Sequence, residues 1–224
     1  MRTLHVALAA ILTWPSLTAG QAGQAPDAAR LAARVQARYA AVKDFQGDFV
    51  QGYEGGVLRT RTTERGTIAV KQPGRFRFVY TKPERKEFVS DGVRIYSYLV
   101  ADKQVFVSPA PGPGEGTTPA LFLAGQADIA RDFTASFAPL PGAAEGLITL
   151  RLEPRTPDPD YQWFGIGIDP DSLQILHLVA ADRNGGRSSF AFSNLQENRG
   201  LSDNMFRFRV PRGVEVVTND TRSQ

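Results

Sequence analysis

The most constraining feature of the sequence is a period-two alternation of aromatic and charged residues. Between Arg75 and Tyr80 each aromatic residue is followed or preceded by a polar or β-branched one, so Phe76, Phe78 and Tyr80 share one face of a strand. Asp91-Gly92, between two further runs of this kind, is a strong hairpin signal. Successive strands joined by short turns predict an antiparallel sheet, and the lack of intervening helices argues against a parallel, nucleotide-type sheet.

Twelve segments of the chain have strand character. They are bounded by residues that favour turns, such as glycine, proline, asparagine and aspartate. The predicted strands are residues 45–49, 66–70, 75–80, 87–90, 93–99, 104–108, 132–137, 146–152, 164–168, 175–181, 187–193 and 206–210. By the same alternation, arginines 75, 77, 207 and 209 are predicted to point away from the aromatic face.

Two helices accompany the strands. The first covers residues 26–42, with Asp27 as its N-cap. Its apolar face, which must pack on another apolar surface, carries Leu31, Val35, Tyr39 and Val42 at helical spacing. The second is short, residues 118–125, and apolar all round, so it needs cover on two sides. We predict that this second helix is a movable lid that packs against the first.

The first residues are typical of an export signal. Arg2 precedes a short apolar run at 6–12, and small residues follow. The run is too short to span a membrane, and Pro15 disfavours the alternative of a buried core helix. We therefore expect residues 1–22 to be a cleaved signal peptide and residues 23–224 to form a single domain.

Composition limits the classes of function. The net charge of +3, which falls to about +2 without Arg2, is too small to favour nucleic-acid binding. The chain has no cysteine, so it contains neither a disulfide nor the residue through which bacterial lipoproteins are anchored. We expect a soluble mature form.

Catalytic and metal-binding patterns are weak. His177 is the only histidine after the signal, it lies in a predicted strand, and no GxSxG motif accompanies it. Zinc sites need several histidine or cysteine ligands. The acidic pairs at 158–160 and 169–171 enclose prolines, which favours turns over a calcium loop. We expect no enzyme, no metal and no cofactor, with a hydrolase built on His177 as the remote alternative.

The aromatic side chains on the strands are the most informative residues left. Core packing explains most of them, but one sheet with two helices can cover only part of its apolar face. Some of these side chains are therefore candidates to line a cavity.

Several short motifs, taken in order, resemble the LolA family of periplasmic lipoprotein carriers. Residues 70–78 read VKQPGRFRF, and VSDG at 89–92 and IYSY at 95–98 follow. Further matches are FVQ at 49–51, TPA at 118–120, FRF at 206–208 and PRGV at 211–214. No single motif is specific, but order and spacing agree along nearly the whole predicted mature chain.

The resemblance implies an α+β fold: an unclosed antiparallel β-barrel (half-barrel) with helices covering the concave apolar face as a lid. It implies a monomeric periplasmic chaperone that takes lipoproteins by their acyl chains from an inner-membrane ABC transporter complex and delivers them to an outer-membrane lipoprotein receptor. The family's ligand-binding positions fall here on Val35, Tyr39, Phe76, Phe78, Leu121, Leu123, Phe164 and Ile166.

One position departs from the family pattern. Well-studied members have arginine directly before the proline of the first turn, where it is thought to tie down the lid; here the residue is Gln72. Lid closure by that arginine is therefore not expected in this chain. The alternative function is an envelope sensor domain that binds lipoprotein or lipid in a similar half-barrel. Sensors of that type usually carry a second domain, which favours the carrier.

Overall fold

A computed structural model describes residues 27–55, 60–111, 123–125 and 128–218. The predicted signal peptide, residues 1–22, lies outside these ranges, as does Leu121 of the predicted lid. The helices and strands are α1 (Ala28–Ala40), β1 (Asp44–Glu54), β2 (Arg61–Lys71), β3 (Arg75–Lys82), β4 (Lys86–Asp91), β5 (Arg94–Leu99), β6 (Gln104–Pro109), α2 (Ile129–Asp132), β7 (Phe133–Phe137), β8 (Ile148–Pro154), β9 (Tyr161–Ile168), β10 (Ile175–Asp182), β11 (Arg187–Glu197), a 3-10 helix (Asp203–Phe206) and β12 (Glu215–Thr218).

In the described ranges, the strands form one sheet of twelve with the order β12-β6-β5-β4-β3-β2-β1-β11-β10-β9-β8-β7. Neighbours are antiparallel except β12, which runs parallel to β6. The edge strands β12 and β7 do not pair with each other, so the sheet does not close. The prediction of an unclosed antiparallel half-barrel with helices on one face is confirmed.

Helix α1 forms because its cap and its apolar spacing agree. The Asp27 carboxylate accepts a hydrogen bond from the Ala29 backbone N–H at 2.9 Å, and Leu31, Ala32 and Val35 are buried. The helix is two residues shorter at each end than predicted. Its apolar face packs on the sheet, and we call the side of the sheet that it covers the inner face.

Period-two alternation sorts the β3 side chains between the two faces. Phe76, Phe78 and Tyr80 are buried on the inner face, in the main apolar cluster. Arg75 and Arg77 lie on the outer face, where Arg75 contacts Asp203 at 3.3 Å and Arg77 donates to the Met205 carbonyl at 3.0 Å. The predicted orientation of both arginines is confirmed, and both hold the C-terminal segment against the sheet.

The predicted strand at 206–210 is wrong. Ser202 caps the 3-10 helix instead, and the chain then crosses the outer face without strand pairing. Phe206 is buried there with Ala69 and Leu201, whereas Phe208 stacks on Tyr96 at 5.4 Å between ring centroids. Residues 207–211 pair with no strand of the sheet, so the alternation of phenylalanine and arginine does not mark a strand here.

His177 has a structural environment. The β7–β8 connection crosses the outer face, and the Pro141 carbonyl oxygen lies 2.9 Å from His177 Nε2. Burial, which leaves the histidine 3% exposed, lowers its pKa. The interpretation as a strand histidine with an ordinary hydrogen bond is confirmed.

The acidic pairs form turns. Asp158 accepts from the Asp160 and Tyr161 backbone N–H groups at 2.9 and 2.8 Å, and Asp169 accepts from that of Ser172 at 2.7 Å. In the ranges the structure describes, no three histidine, cysteine, aspartate or glutamate side chains gather as a metal site requires. Across those same ranges, no helix has the length and apolar character needed to traverse a bilayer.

Candidate functional site: the apolar inner face and its cover

A row of aromatic side chains lines the inner face across β1, β3 and β11. The ring centroids of Phe76 and Phe78 are 5.9 Å apart, those of Phe49 and Phe78 5.5 Å, and those of Phe49 and Tyr80 4.9 Å, all edge-to-face. Phe190 of β11 lies 6.3 Å from Phe78. We call these five residues the aromatic row. They form a continuous apolar surface that extends along β3 from Phe76 to Tyr80.

Strands β8 to β10 extend this surface with mainly aliphatic side chains. Phe164 and Ile166 of β9 are fully buried beside Leu150 and Leu152 of β8 and Leu178 of β10. Because inward positions alternate on each strand, the neighbouring glycines 165 and 167 fall on the outer face. The inner face is therefore apolar on both sides of β1 and β11.

Short segments cover this face. Leu31, Ala32 and Val35 of α1 join Leu123, Ala124 and Ile129 in the same buried cluster. Of the predicted binding residues, Val35, Phe76, Phe78, Leu123, Phe164 and Ile166 lie in that cluster, and Tyr39 packs against it. Leu121 lies outside the described residues. The structure thus brings together the predicted residues that it describes, and their binding of a ligand stays a prediction.

The described side chains of the inner face pack closely against one another and are buried. A cavity of about 50 Å³, with room for only a few water molecules, lies between α1 and Leu123. Its walls are Gln36, Tyr39, Ala40, Gln72, Leu123, Gly125, Ile129 and Ile175. Pockets for ligands of drug size measure about 300 Å³ or more. A long apolar ligand that enters between α1 and Leu123 must therefore displace part of the cover.

The C-terminal end of α1 is firmly attached. Arg38 donates to the Ser172 carbonyl at 2.6 Å and pairs with Glu197 at 2.7 Å, and the Tyr39 hydroxyl accepts from the Ile175 backbone N–H at 2.9 Å. Burial raises the pKa of Tyr39 to about 12, so the phenol is neutral at physiological pH. These long-range contacts make α1 the fixed part of the cover.

Residues 123–125, which we call the lid end, meet the β2–β3 turn. The Gly74 backbone N–H donates to the Ala124 carbonyl at 3.1 Å, and Gly125 has a φ of +75°. A Cβ placed on Gly125 would lie 2.8 Å from Gln72 Cδ, so the Gln72 amide packs directly on the lid end. Gln72 Nε2 also donates to the Tyr39 carbonyl at 3.4 Å. Gln72 therefore touches both the lid end and α1.

We predict that Gln72→Arg tightens the closed cover. A guanidinium can donate to several carbonyls at once, and such charged hydrogen bonds are stronger than the 3.4 Å bond from Gln72 to the Tyr39 carbonyl. The expected result is about fivefold slower uptake of an acylated ligand, together with slower amide exchange at the lid end. Gln72→Ala is the opposite variant and should accelerate both; equal uptake by the three proteins would contradict a role for this position in closure.

Sequence reasoning missed several parts of the site. Phe49 and Phe190 stand at the centre of the aromatic row, and only the pairing of Gln51 with Phe190 across β1 and β11 shows that their strands are neighbours. Ile129 covers the face from α2, a single turn that has no periodic pattern. Alternation identifies the inward-facing phenylalanines of β1 and β11, but it does not show which of them lie at the centre of the site.

Comparison with known proteins agrees with this architecture. Residues 40–209 match the family of the outer membrane lipoprotein carrier protein LolA. An outer-membrane lipoprotein carrier protein of Methylococcus capsulatus is 30% identical over 206 residues, which is 92% of this chain and 95% of the relative. One of Bordetella avium is 32% identical over 184 residues, 82% of this chain and 85% of the relative.

A solved structure shares the fold. An uncharacterized conserved protein from Thermus thermophilus superimposes with a TM-score of 0.51 at 16% identity, over 85% of this chain and 98% of that one. The architecture is that of an open antiparallel sheet with an apolar, helix-covered inner face. The chain belongs to the LolA family.

Proposed function

We propose that this protein is a periplasmic carrier that binds the acyl chains of lipoproteins on its apolar inner face. The observation that carries the proposal is the continuous apolar surface of the aromatic row and β8–β10, closed by α1 and the lid end, in a chain of the LolA family. The named carriers are 30% and 32% identical to this chain and align over 95% and 85% of their own length, which favours the carrier over the envelope sensor.

The energetics suit reversible carriage. A buried methylene contributes about 0.8 kcal/mol, so a 16-carbon acyl chain gains roughly 12 kcal/mol on leaving water for an apolar site. In the closed state Leu123, Ala124 and Ile129 already occupy that surface. Cargo must replace these contacts, so its net gain is smaller and release remains possible.

The route of the cargo follows from this role. The carrier would receive lipoproteins from an inner-membrane ABC transporter complex and pass them to an outer-membrane receptor. Residues 1–22 would direct export and be removed, and the chain would act as a monomer without chemical catalysis. Val35, Tyr39, Phe76, Phe78, Leu121, Leu123, Phe164 and Ile166 would contact acyl chains during transit.

The test is a tether across the cover. Ala40 of α1 and Leu123 of the lid end line the same small cavity, and the chain contains no cysteine of its own. In the double variant Ala40→Cys/Leu123→Cys, closing the pair with a disulfide or a short thiol crosslinker should reduce uptake of a triacylated lipoprotein at least tenfold. Reduction of the disulfide should restore uptake.

Single-cysteine variants given the same treatment are the controls. If the tethered and reduced proteins take up lipoprotein equally, cargo does not enter by separation of α1 and the lid end. If neither the untreated double variant nor the parent protein binds lipoprotein, the carrier function itself is wrong.

A further inference from the structure

The aromatic row ends in a group of polar side chains on the same inner face. Gln51 pairs with Glu64 across β1 and β2, and Tyr80 pairs with Lys86 across β3 and β4. Directly opposed residues of antiparallel strands project to the same side. We call these four residues the polar end; Tyr80 belongs both to it and to the aromatic row.

Short contacts hold the polar end together. Lys86 Nζ lies 2.7 and 2.8 Å from the two Glu64 carboxylate oxygens and 4.5 Å from the centroid of the Tyr80 ring. The Tyr80 hydroxyl donates to Gln51 Oε1 at 2.5 Å. Lys86 and Glu64 side chains are only 24% and 16% exposed, so this ion pair is largely shielded from water.

Among the described residues, the polar end has more hydrogen-bond donors than partners for them. The Lys86 ammonium has three N–H groups, and Glu64 is its one hydrogen-bonding partner among the described residues. The Gln51 side chain bonds within the same ranges only through its oxygen, which accepts from Tyr80. Its Nε2 atom carries two N–H groups that have no partner there. A ligand that complements this site must bring acceptors.

The charge of the site narrows the choice of acceptor. Glu64 already neutralises Lys86 and would repel a second carboxylate, which disfavours a free fatty acid. Neutral carbonyl oxygens have no such penalty. The aromatic row leads away from the polar end for about 13 Å, the length of four residues of strand from Tyr80 to Phe76, and provides a surface for attached chains.

We propose that the polar end binds the ester carbonyl oxygens of an acylated glycerol group whose chains lie along the aromatic row. Lys86 Nζ and Gln51 Nε2 are the donors, and Glu64 and Tyr80 hold them in place. This inference rests on the proposed function and adds to it a fixed orientation of the cargo. The same ester chemistry occurs in the diacylglyceryl group of a lipoprotein and in a phospholipid.

The test compares ligands that differ only in these carbonyls. A synthetic diacylglyceryl-cysteine lipopeptide and its dialkyl-ether analogue carry equal chains, but the ether lacks the two ester carbonyl oxygens. The wild-type protein should bind the ester about tenfold more tightly, the effect of one hydrogen bond to a charged donor. Phosphatidylglycerol and its dialkyl-ether analogue repeat the comparison for the phospholipid source; an ester preference in either pair supports the proposal.

Variants then locate the effect. Lys86→Met/Glu64→Leu removes the ion pair without leaving a lone charge and should abolish most of the ester preference, leaving only the smaller part that the neutral donor Gln51 Nε2 contributes. The matched control is Arg151→Met/Glu153→Leu on the outer face, an ion pair at 3.0 Å whose arginine lies 4.6 Å from the Trp163 ring. This control should keep the tenfold preference.

The outcomes separate the two proposals. Equal wild-type affinity for ester and ether in both ligand pairs would overturn the ester site while leaving carriage intact, because the chains still bind. A full tenfold ester preference that survives Lys86→Met/Glu64→Leu would also overturn it. Failure of every ligand to bind would contradict the proposed function itself, and the site with it.

Discussion

Replacement of Leu123 by glutamate is expected to lower retention of an acylated ligand by about 100-fold at pH 8. Leu123 is 4% exposed in the buried cluster, and an unpaired carboxylate there costs several kcal/mol. No lysine or arginine is among the residues that line its cavity, so no cation there could compensate the charge. The lid end must therefore move toward water, which exposes the aromatic row. Dissociation of a fluorescent diacyl lipopeptide measures the effect.

The expected effect of Leu123→Glu depends on pH in a definite direction. Burial favours the neutral form of a carboxyl group and so raises its pKa. At pH 5 more of the variant would be protonated, the lid end could close again, and retention should recover in part. Leu123→Met preserves size and polarity and should behave like the parent protein at both values. Equal retention by the Glu and Met variants at pH 8 would show that the lid end does not cover the cargo.

Local sequence patterns predicted well which side chains of a strand face the core. On β3 the alternation of Phe76, Phe78 and Tyr80 with Arg75 and Arg77 specifies which residues face inward, because a strand has a period of two. The core therefore follows from the sequence with little knowledge of the topology.

The same pattern failed at the C-terminus for a physical reason. Phe206 and Phe208 alternate with Arg207, but β3 already has β2 and β4 as partners, so this segment crosses the sheet instead of joining it. Phe206 is buried against Ala69 on the outer face. Ser202 caps the 3-10 helix that brings it there. Alternation is a local property of the sequence, whereas the presence of an unpaired neighbouring strand depends on the topology of the whole sheet.

The candidate site shows the same division. Val35 and Ile166 are predictable because an apolar face must be covered. The attachments of the cover were not predictable. The Tyr39 hydroxyl accepts from the Ile175 backbone 136 positions away, and the Gly74 backbone N–H donates to the Ala124 carbonyl although the four strands β3 to β6 lie between them in the sequence. Likewise, Lys86 and Glu64 are 22 residues apart, and only the register of β2, β3 and β4 brings them together.

The largest effect on stability is expected from Gly66→Ala. A Cβ on Gly66 would overlap the Val79 carbonyl oxygen and lie 2.9 Å from two ring carbons of Phe49. The carbonyl belongs to the neighbouring strand β3, so it cannot withdraw without disturbing the pairing of β2 with β3. We expect a loss of about 3 kcal/mol in the free energy of unfolding, measured by urea denaturation.

Gly52→Ala on the adjacent strand is the matched control. Its added Cβ would meet one atom within 4 Å, Ser189 Oγ at 2.9 Å, and a serine hydroxyl can rotate away. Its loss should stay below about 1 kcal/mol. Because Phe49 is the centre of the aromatic row, folded Gly66→Ala protein should also bind an acyl chain more weakly, whereas Gly52→Ala should not. Similar stability of the two variants would mean that β2 and β3 separate at Gly66 more easily than the close packing implies, and the aromatic row would then be a deformable surface, not a fixed one.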